Sequence, residues 1–564
     1  MKLYYNLLSL LLILLVSCAS NAGYQKAETP EIAPVIQIAA DVDRNGEIDF
    51  PADEIGEESW SRVRGAMFMN NNDSDQDSGR PDHADDLFNG PEDLKDLAKI
   101  RIRCIGALPE NSQINVTLKT THPERVRLFY KNSEGNLIAS KGEELTLKPP
   151  SPDQDIELRM EANSYADQDW NGEVLVTAEI QMPEGAESSD SVLMRAAPFL
   201  LLSNSSPVET VYVREFPGRN DKLISQLREI IPEAGANLHV IPECGPYKYN
   251  HISCQDAMDI GFTEMPGVEM NVVLNSNRNK SLDHFPENDL LGPDYGWFRC
   301  GDFRPEYGRG DWGDAWLDWF GNLEVTPPIP GYPLGRIYYG TSGDASLNPE
   351  IVNMLNAQNM QGPALGLDAG WLLIKHVDEM LMFVPSGEKG EHKLLVADPA
   401  SMVEILKKWM DEGKGDMDLL EPYEEDLSIA DLAEDQNLIS HNLSLQKNHI
   451  EPNIEKMKNE FGIKESDIIR IPTLFKTNGQ SIAPNMVNSA VFNGYLLISD
   501  PFGPRDSGGN DLLKEEVMNL LGEIPLEIRF VDDRQYHKWS GNIHCATNAR
   551  RSGFEEEWWN LLGD

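Results

Sequence analysis

The chain has 564 residues, 40% of them hydrophobic and 8% aromatic, enough apolar material for packed cores and too much for a wholly disordered polymer. Length alone suggests roughly two to four domains. Acidic residues outnumber basic ones 93 to 48, for a net charge of −45, a balance that repels phosphate backbones and excludes nucleic acid as a natural partner while drawing in divalent cations or basic polypeptides.

At the N-terminus, Met1-Lys2 leads into an apolar run over 7–16 and then Leu15-Val16-Ser17-Cys18-Ala19. A charged start, a short apolar core and a small residue before the break read as a secretory signal, its apolar run shorter than a membrane span. The Leu-x-Ser-Cys pattern resembles a bacterial lipoprotein signal. Residues 1–17 are then a signal peptide, Cys18 the lipid-bearing residue of an exported, envelope-anchored protein, and 18–34 a polar tether. Without Cys18 five cysteines remain, Cys104, Cys244, Cys254, Cys300 and Cys545. An odd number in an oxidising compartment leaves at least one thiol free or paired between chains.

Residues 35–204 read as a β-sandwich. Short alternating stretches at 100–105, 113–119, 125–130, 173–181 and 191–202 are broken by Pro, Gly, Asn and Asp turns, with no helical pattern between them. Two acidic loops lie here. Asp41-Val42-Asp43-Arg44-Asn45-Gly46, continuing to Asp49, puts oxygen ligands on alternate residues of a tight turn, as hard cations require, although Ala52 falls where an EF-hand carries its glutamate. The second loop, with Asp73 and Asp75, runs on into Asp82, Asp85 and Asp86. Together they point to Ca2+.

From 205 to 564 the rhythm becomes α/β. Helices are expected at 221–231, 402–411, 448–461 and 511–521, alternating with strands at 208–213, 237–241, 269–274, 334–339, 392–397, 490–498 and 526–531. No sequence repeat is evident, so any internal symmetry is structural only.

Three patterns here hold the groups a thiol nucleophile needs, namely a proton shuttle and carboxylates to hold a cationic substrate. They are Gln255-Asp256-Ala257-Met258-Asp259, His376-Val377-Asp378-Glu379 and His544-Cys545-Ala546-Thr547-Asn548. Spacing does not show that they meet. Their order and context, with Asn277-Arg278-Asn279, Gly292-Pro293-Asp294-Tyr295-Gly296, Phe320-Gly321-Asn322-Leu323-Glu324, Pro484-Asn485-Met486-Val487-Asn488 and Trp558-Trp559, resemble the protein-arginine deiminases. The sandwich resembles that family's calcium-binding, immunoglobulin-like middle domain, and the extra N-terminal domain of vertebrate members has no counterpart.

The resemblance implies a pentein catalytic domain, a pseudo-fivefold α/β propeller, that hydrolyses arginine guanidinium groups of proteins or peptides to citrulline and ammonia. It implies Cys545 as nucleophile, His376 as proton carrier, and Asp256 and Asp378 as guanidinium ligands. Arg278, Lys280, Asn488 and Trp539 fall at substrate-binding positions. Gln255, Asp259, Glu324 and the carbonyls of Phe320 and Leu323 match one Ca2+ site, and Asn275, Ser276 and Asn279 match a second that lacks acidic ligands at Ala257 and Asn275. Three departures touch substrate choice: Ser253 for a tryptophan, Lys280 for an arginine and Trp539 for a basic residue. Two other readings stay open, a guanidine-modifying enzyme acting on free arginine or a small guanidine, and an inactive calcium-stabilised surface binding protein. The sequence does not fix the oligomeric state.

Overall fold

The structure, a computed structural model, describes residues 34–563 apart from 76–78, 85–87, 89, 141, 152–153, 183–186, 244–248, 250, 305–312, 388–389 and 420–426. The signal, Cys18, the tether up to residue 33, Cys244, Asp77, Asp85 and Asp86 lie outside the described residues.

Two five-stranded sheets form the first part. One orders Val35–Ala39, Ala98–Ile105, Ile156–Ala162, Val126–Lys131 and Leu137–Ala139; the other orders Ala66–Phe68, Glu187–Ala196, Glu173–Gln181, Gln113–Lys119 and Glu144–Leu147. Alternation drives them together. In Glu173–Gln181 Val174, Val176, Ala178 and Ile180 are buried while the residues between face outward, and in Gln113–Lys119 Ile114, Val116 and Leu118 do the same. These side chains share one core with Ile100, Ile102, Leu158 and Trp170. The strand expected at 191–202 is Glu187–Ala196, after which the chain leaves the sheet and crosses to the second part. Leu200 pairs with Phe262 there, so close to Gly261 that a Cβ on that glycine would stand 2.2 Å from the Leu200 carbonyl oxygen.

The second part repeats one pairing pattern in five sheets. In each, a first strand lies antiparallel to a central strand, and the central strand lies parallel to a third. The first–central pairs are Met258–Met265 with Val268–Asn275, Leu323–Val325 with Ile337–Ser342, Leu381–Pro385 with His392–Asp398, and Ala490–Phe492 with Tyr495–Ser499. Their parallel partners are Tyr295–Arg299, Leu365–Asp368, Ile468–Pro472 and Glu527–Val531. The remaining module takes its first strand from the end of the chain: Thr547–Arg551 lies antiparallel to Val208–Arg214, which is parallel to Asn237–Ile241. The ring is thereby closed by its own two ends.

Turn chemistry sets the hairpins. Pro266 and Gly267 (φ +78°) join the pair Met265 and Val268, proline fixing the first corner and glycine accepting the left-handed second. Asn493 (φ 43°) and Gly494 (φ 92°) make a two-residue turn that splits the single strand expected at 490–498 into a hairpin. Helices cover the outer faces: Asp221–Glu233, Pro399–Asp411, Glu451–Phe461 and Leu512–Leu520. Among the described residues no helix is long and apolar enough to cross a membrane.

Candidate active site

Each chemically equipped motif occupies the same place in its module, the turn just before the first strand. Gln255–Ala257 precedes Met258–Met265, Phe320–Asn322 precedes Leu323–Val325, Val377–Glu379 precedes Leu381–Pro385, residues 484–489 precede Ala490–Phe492, and the helical turn Ile543–Ala546 precedes Thr547–Arg551. A ring of modules carries such turns to its centre, so residues almost three hundred positions apart become neighbours.

Gly321 marks the meeting point. A Cβ built there would lie 2.5 Å from His376 Nδ1, 3.1 Å from Asp378 Oδ2 and 3.2 Å from Asp256 Oδ1. The missing side chain leaves a hollow floored by glycine and walled by two carboxylates and an imidazole. Cys545 Sγ lies 3.5 Å from Asp378 Oδ2. Asn488 fixes two of these groups at once: its Oδ1 accepts the Cys545 N–H at 3.3 Å and its Nδ2 donates to the Asp378 carbonyl at 3.3 Å.

The His376 ring is anchored through one of its two nitrogens. Its Nε2 lies 2.8 Å from the Trp316 carbonyl, which can only accept, so Nε2 carries the hydrogen. Nδ1 is left buried without a hydrogen-bond partner, 3.7 Å from Asp256 Oδ1 and facing the hollow. The empty hollow disfavours negative charge. Burial, then Asp378 and Asp256, hold the Cys545 thiol well above the usual thiol range, and burial raises Asp256 although His376 and Arg278 oppose it. A planar cation between the carboxylates would reverse that balance.

Arg278 points inward. Its Nη1 is 3.5 Å from Asp256 Oδ2, its Nε donates to Asp283 Oδ1 at 2.5 Å, and its guanidinium carbon stands 5.3 Å from the Trp319 ring centre. It thus braces Asp256. Lys280 and Trp539 are partly exposed; Lys280 N–H donates to Asp283 Oδ2 at 2.6 Å, and Trp539 packs edge-on to Phe216.

Behind the hollow, Gln255, Asp259, Leu323, Glu324, His544, Asn548 and Arg551 line a second cavity. Glu324 Oε1 is buried there without a hydrogen-bond partner. Burial lifts Glu324 to about 7 against the pull of His544, and burial together with Glu324 raises Asp259 well above the carboxylate range. Gln255 donates to the Phe320 carbonyl at 3.2 Å. An orphaned carboxylate oxygen, a second carboxylate, an amide and a carbonyl suit a hard cation. Asn275 is used otherwise: its Oδ1 accepts the Trp297 indole at 3.1 Å and its Nδ2 donates to the Ser276 carbonyl. Ser276 Oγ is buried and unpartnered, whereas Asn279 is exposed in the left-handed region (φ 54°).

Three carboxylate groups gather in the sandwich: Asp41, Asp43 and Asp53; Asp73, Asp75 and Asp96; and Asp75, Asp82 and Asp93. Asp53, Asp93 and Asp96 were not singled out by sequence, because each sits in a helical turn downstream of its loop. Asp53 follows the Ala52 that falls at the EF-hand glutamate's position, and it accepts the Val42 and Asp49 N–H groups. Asp49 and Asn45 are exposed, and Asn45 Oδ1 accepts the Glu47 N–H. Among the described residues Cys104, Cys254, Cys300 and Cys545 are all free.

A ring of five modules with a buried thiol, an imidazole and two carboxylates at its hub defines a class of protein built to work on a planar cation. The comparisons give the family. The protein-arginine deiminase (PAD) profile matches residues 186–560 and the protein-arginine deiminase middle-domain profile matches 35–182. Human protein-arginine deiminase type-4 is 31% identical across 93% of this chain and 83% of its own, human type-1 is 31% identical across 93% and 82%, and rat type-4 is 30% identical across 93% and 83%. The chain belongs to the protein-arginine deiminase family of hydrolases. Solved structures of C. jejuni agmatine deiminase (TM-score 0.39, 11% identity, 64% of this chain and 98% of that one) and of SxtG, an amidinotransferase from Microseira wollei (0.33, 11%, 64% and 99%), are more distant likenesses.

Proposed function

We propose that this chain hydrolyses the guanidinium group of arginine residues in proteins or peptides, giving citrulline and ammonia. The convergence of His376, Asp256 and Asp378 on the vacant face of Gly321, with Cys545 Sγ alongside, is the observation that supports it.

Two carboxylates match the paired N–H donors of a guanidinium, and the bound cation offsets the repulsion that keeps Cys545 protonated in the empty site. As the substrate binds, Cys545 gives its proton to His376 Nδ1, and the thiolate attacks the guanidinium carbon, forming a C–S bond and a tetrahedral adduct. His376 protonates the departing nitrogen at Nδ1, the C–N bond breaks, and ammonia leaves a thiouronium on Cys545. Water, losing a proton to Nδ1, adds to that carbon; the C–S bond breaks, the thiol is restored and the ureido group of citrulline leaves. No redox cofactor enters the balance.

The reading includes dependence on Ca2+. Gln255, Asp259, Glu324 and the carbonyls of Phe320 and Leu323 would hold one ion, and the sandwich carboxylates others. A bound dication supplies charge compensation for buried acids and so fixes the turn that bears Asp256, the neighbour of Gln255. The sandwich is read as immunoglobulin-like over 35–204 with the catalytic unit over 205–564, and the leader as directing export with lipid on Cys18.

The deciding experiment incubates purified protein with a basic peptide, with Ca2+ or with chelator, and measures ammonia and peptidyl-citrulline. Both products, only with Ca2+, are expected. Ammonia from free arginine alone would move the reading to a small-guanidine enzyme, and no product at any Ca2+ concentration with Cys545 reduced would make the chain a binding protein. Radiolabelled palmitate on native chain but not on Cys18→Ser is expected for the anchor.

A further inference from the structure

His544 stands between the two cavities. Its Nδ1 lies 3.0 Å from Asp378 Oδ2 in the guanidinium hollow, and its Nε2 lies 3.5 Å from Glu324 Oε1 in the cavity behind. The ring is buried and its backbone is held, since the His544 N–H donates to the Asn488 carbonyl at 3.3 Å. An imidazole is rigid, so its two nitrogens move together. Asp378 Oδ2 also takes the Cys545 Sγ contact, while Asp378 Oδ1 is buried with no partner. Whatever holds Oδ2, the Asp378 oxygen that lies nearest the Gly321 face, therefore sets how this carboxylate meets an incoming guanidinium.

We infer that His544 is the positioning residue that couples the rear cavity to the guanidinium hollow: a cation that draws Glu324 into the cavity resets the imidazole and, through Oδ2, aims Asp378 at the substrate. The inference rests on the reading of the rear cavity as a cation site. Its sign is distinctive. Two bound cations so close together repel each other directly, so mutual strengthening of their binding needs a mediator that makes differential contacts in the two states. His544 touches a carboxylate of each cavity. Without it, the bare repulsion should show as antagonism.

The test uses the full chain with Cys545→Ser, which blocks turnover, and measures binding by calorimetry. Ca2+ is titrated with and without Nα-benzoyl-arginine amide, and the amide with and without Ca2+; loss of an uptake step on Glu324→Gln assigns that step to the rear cavity. With His544 present each ligand is expected to tighten the other by the same factor, about fivefold or more, as linkage requires. His544→Asn keeps a donor near the Nδ1 position but falls short of Glu324, and His544→Gln reaches towards Glu324 without the Nδ1 donor. In both, each ligand should still bind while the factor falls to one or below, which a merely structural role would not produce. A factor of one with His544 present, or an unchanged factor in both variants, overturns the coupling alone. No uptake step sensitive to Glu324→Gln overturns the cation site and the coupling with it, and failure of the amide to bind overturns the arginine reading instead.

Discussion

Asp378 Oδ2 lies 3.5 Å from Cys545 Sγ, a carboxyl group set against the thiol that the proposed reaction needs as a thiolate. After burial, Asp378 is the largest influence holding the Cys545 thiol up. In the proposed reaction the thiol stays silent until a cationic substrate arrives. Asp378→Asn should therefore do two opposite things. Hydrolysis should fall by about a thousandfold or more, since a guanidinium ligand is lost. Alkylation of Cys545 by neutral iodoacetamide at pH 8 should quicken, about tenfold for each 1.4 kcal/mol of repulsion removed. Slower or equal alkylation, measured by mass spectrometry of the Cys545 peptide, would show that Asp378 does not hold the thiol in check.

Gly321 tests the shape of the hollow rather than its charge. Its φ is not positive, so the backbone accepts alanine, but the methyl carbon would stand 2.5 Å from His376 Nδ1 in the space assigned to the guanidinium. Gly321→Ala should fold, with a melting temperature within about 5 °C of the parent, and lose about a hundredfold or more in kcat/KM, because a displacement near 1 Å at a reacting centre costs that much. Full activity in a folded Gly321→Ala protein would place the substrate elsewhere.

How much of this the sequence revealed depends on where the information lies. Strands with strict alternation were legible to the residue, as at Gln113–Lys119 and Glu173–Gln181. The helix expected at 402–411 begins at Pro399, where Asp398 caps it by accepting the Ser401 N–H; Asp-Pro was the available signal. The motif residues Asp256, His376, Asp378 and Cys545 were legible as chemical types, while their meeting was not, since it follows from five pre-strand turns pointing to one hub and no local pattern records that. Asp53, Asp93 and Asp96 stayed hidden for a related reason: a tertiary cluster recruits acids from the next turn of chain, outside any contiguous ligand loop.

The buried sandwich acids give stability a pH dependence with a definite sign. Burial followed by repulsion from Asp75 raises Asp73 to about 8, and burial followed by repulsion from Asp73 raises Asp96 to about 9. Burial and then Asp82 raise Asp75 to about 6. Each group is raised above its unfolded value near 3.8, so the folded state holds protons that the unfolded state has already released. That contribution is complete below about pH 4 and is lost as pH rises through 6 to 9. In chelator, thermal melts should show stability declining across this window. Ca2+ should flatten the decline and expel protons at pH 7, seen as a dependence of the calorimetric heat on buffer ionisation. A chelated protein that grows more stable from pH 6 to 9 would contradict the burial of these acids.

The first acidic loop separates two candidates for its closing ligand. Sequence spacing pointed to Asp49, which is exposed. The structure groups Asp53 with Asp41 and Asp43, and Asp53, fully buried, also accepts the Val42 and Asp49 N–H groups that shape the loop. Burial first, offset by the Gly46 and Asn45 N–H groups, lifts Asp41 to about 6, so this loop too favours a counter-cation. Removing the Asp53 charge should cost both a ligand and the loop's conformation, whereas removing that of Asp49 should cost neither. Terbium luminescence, sensitised through Trp60 and titrated against Ca2+, should show Asp53→Asn weakening uptake by roughly 10–100-fold, the range seen when oriented ligands or their supports are removed. Asp49→Asn should stay within about twofold of the parent. The reverse ranking would return Asp49 to the ligand set and make Asp53 a purely structural acid.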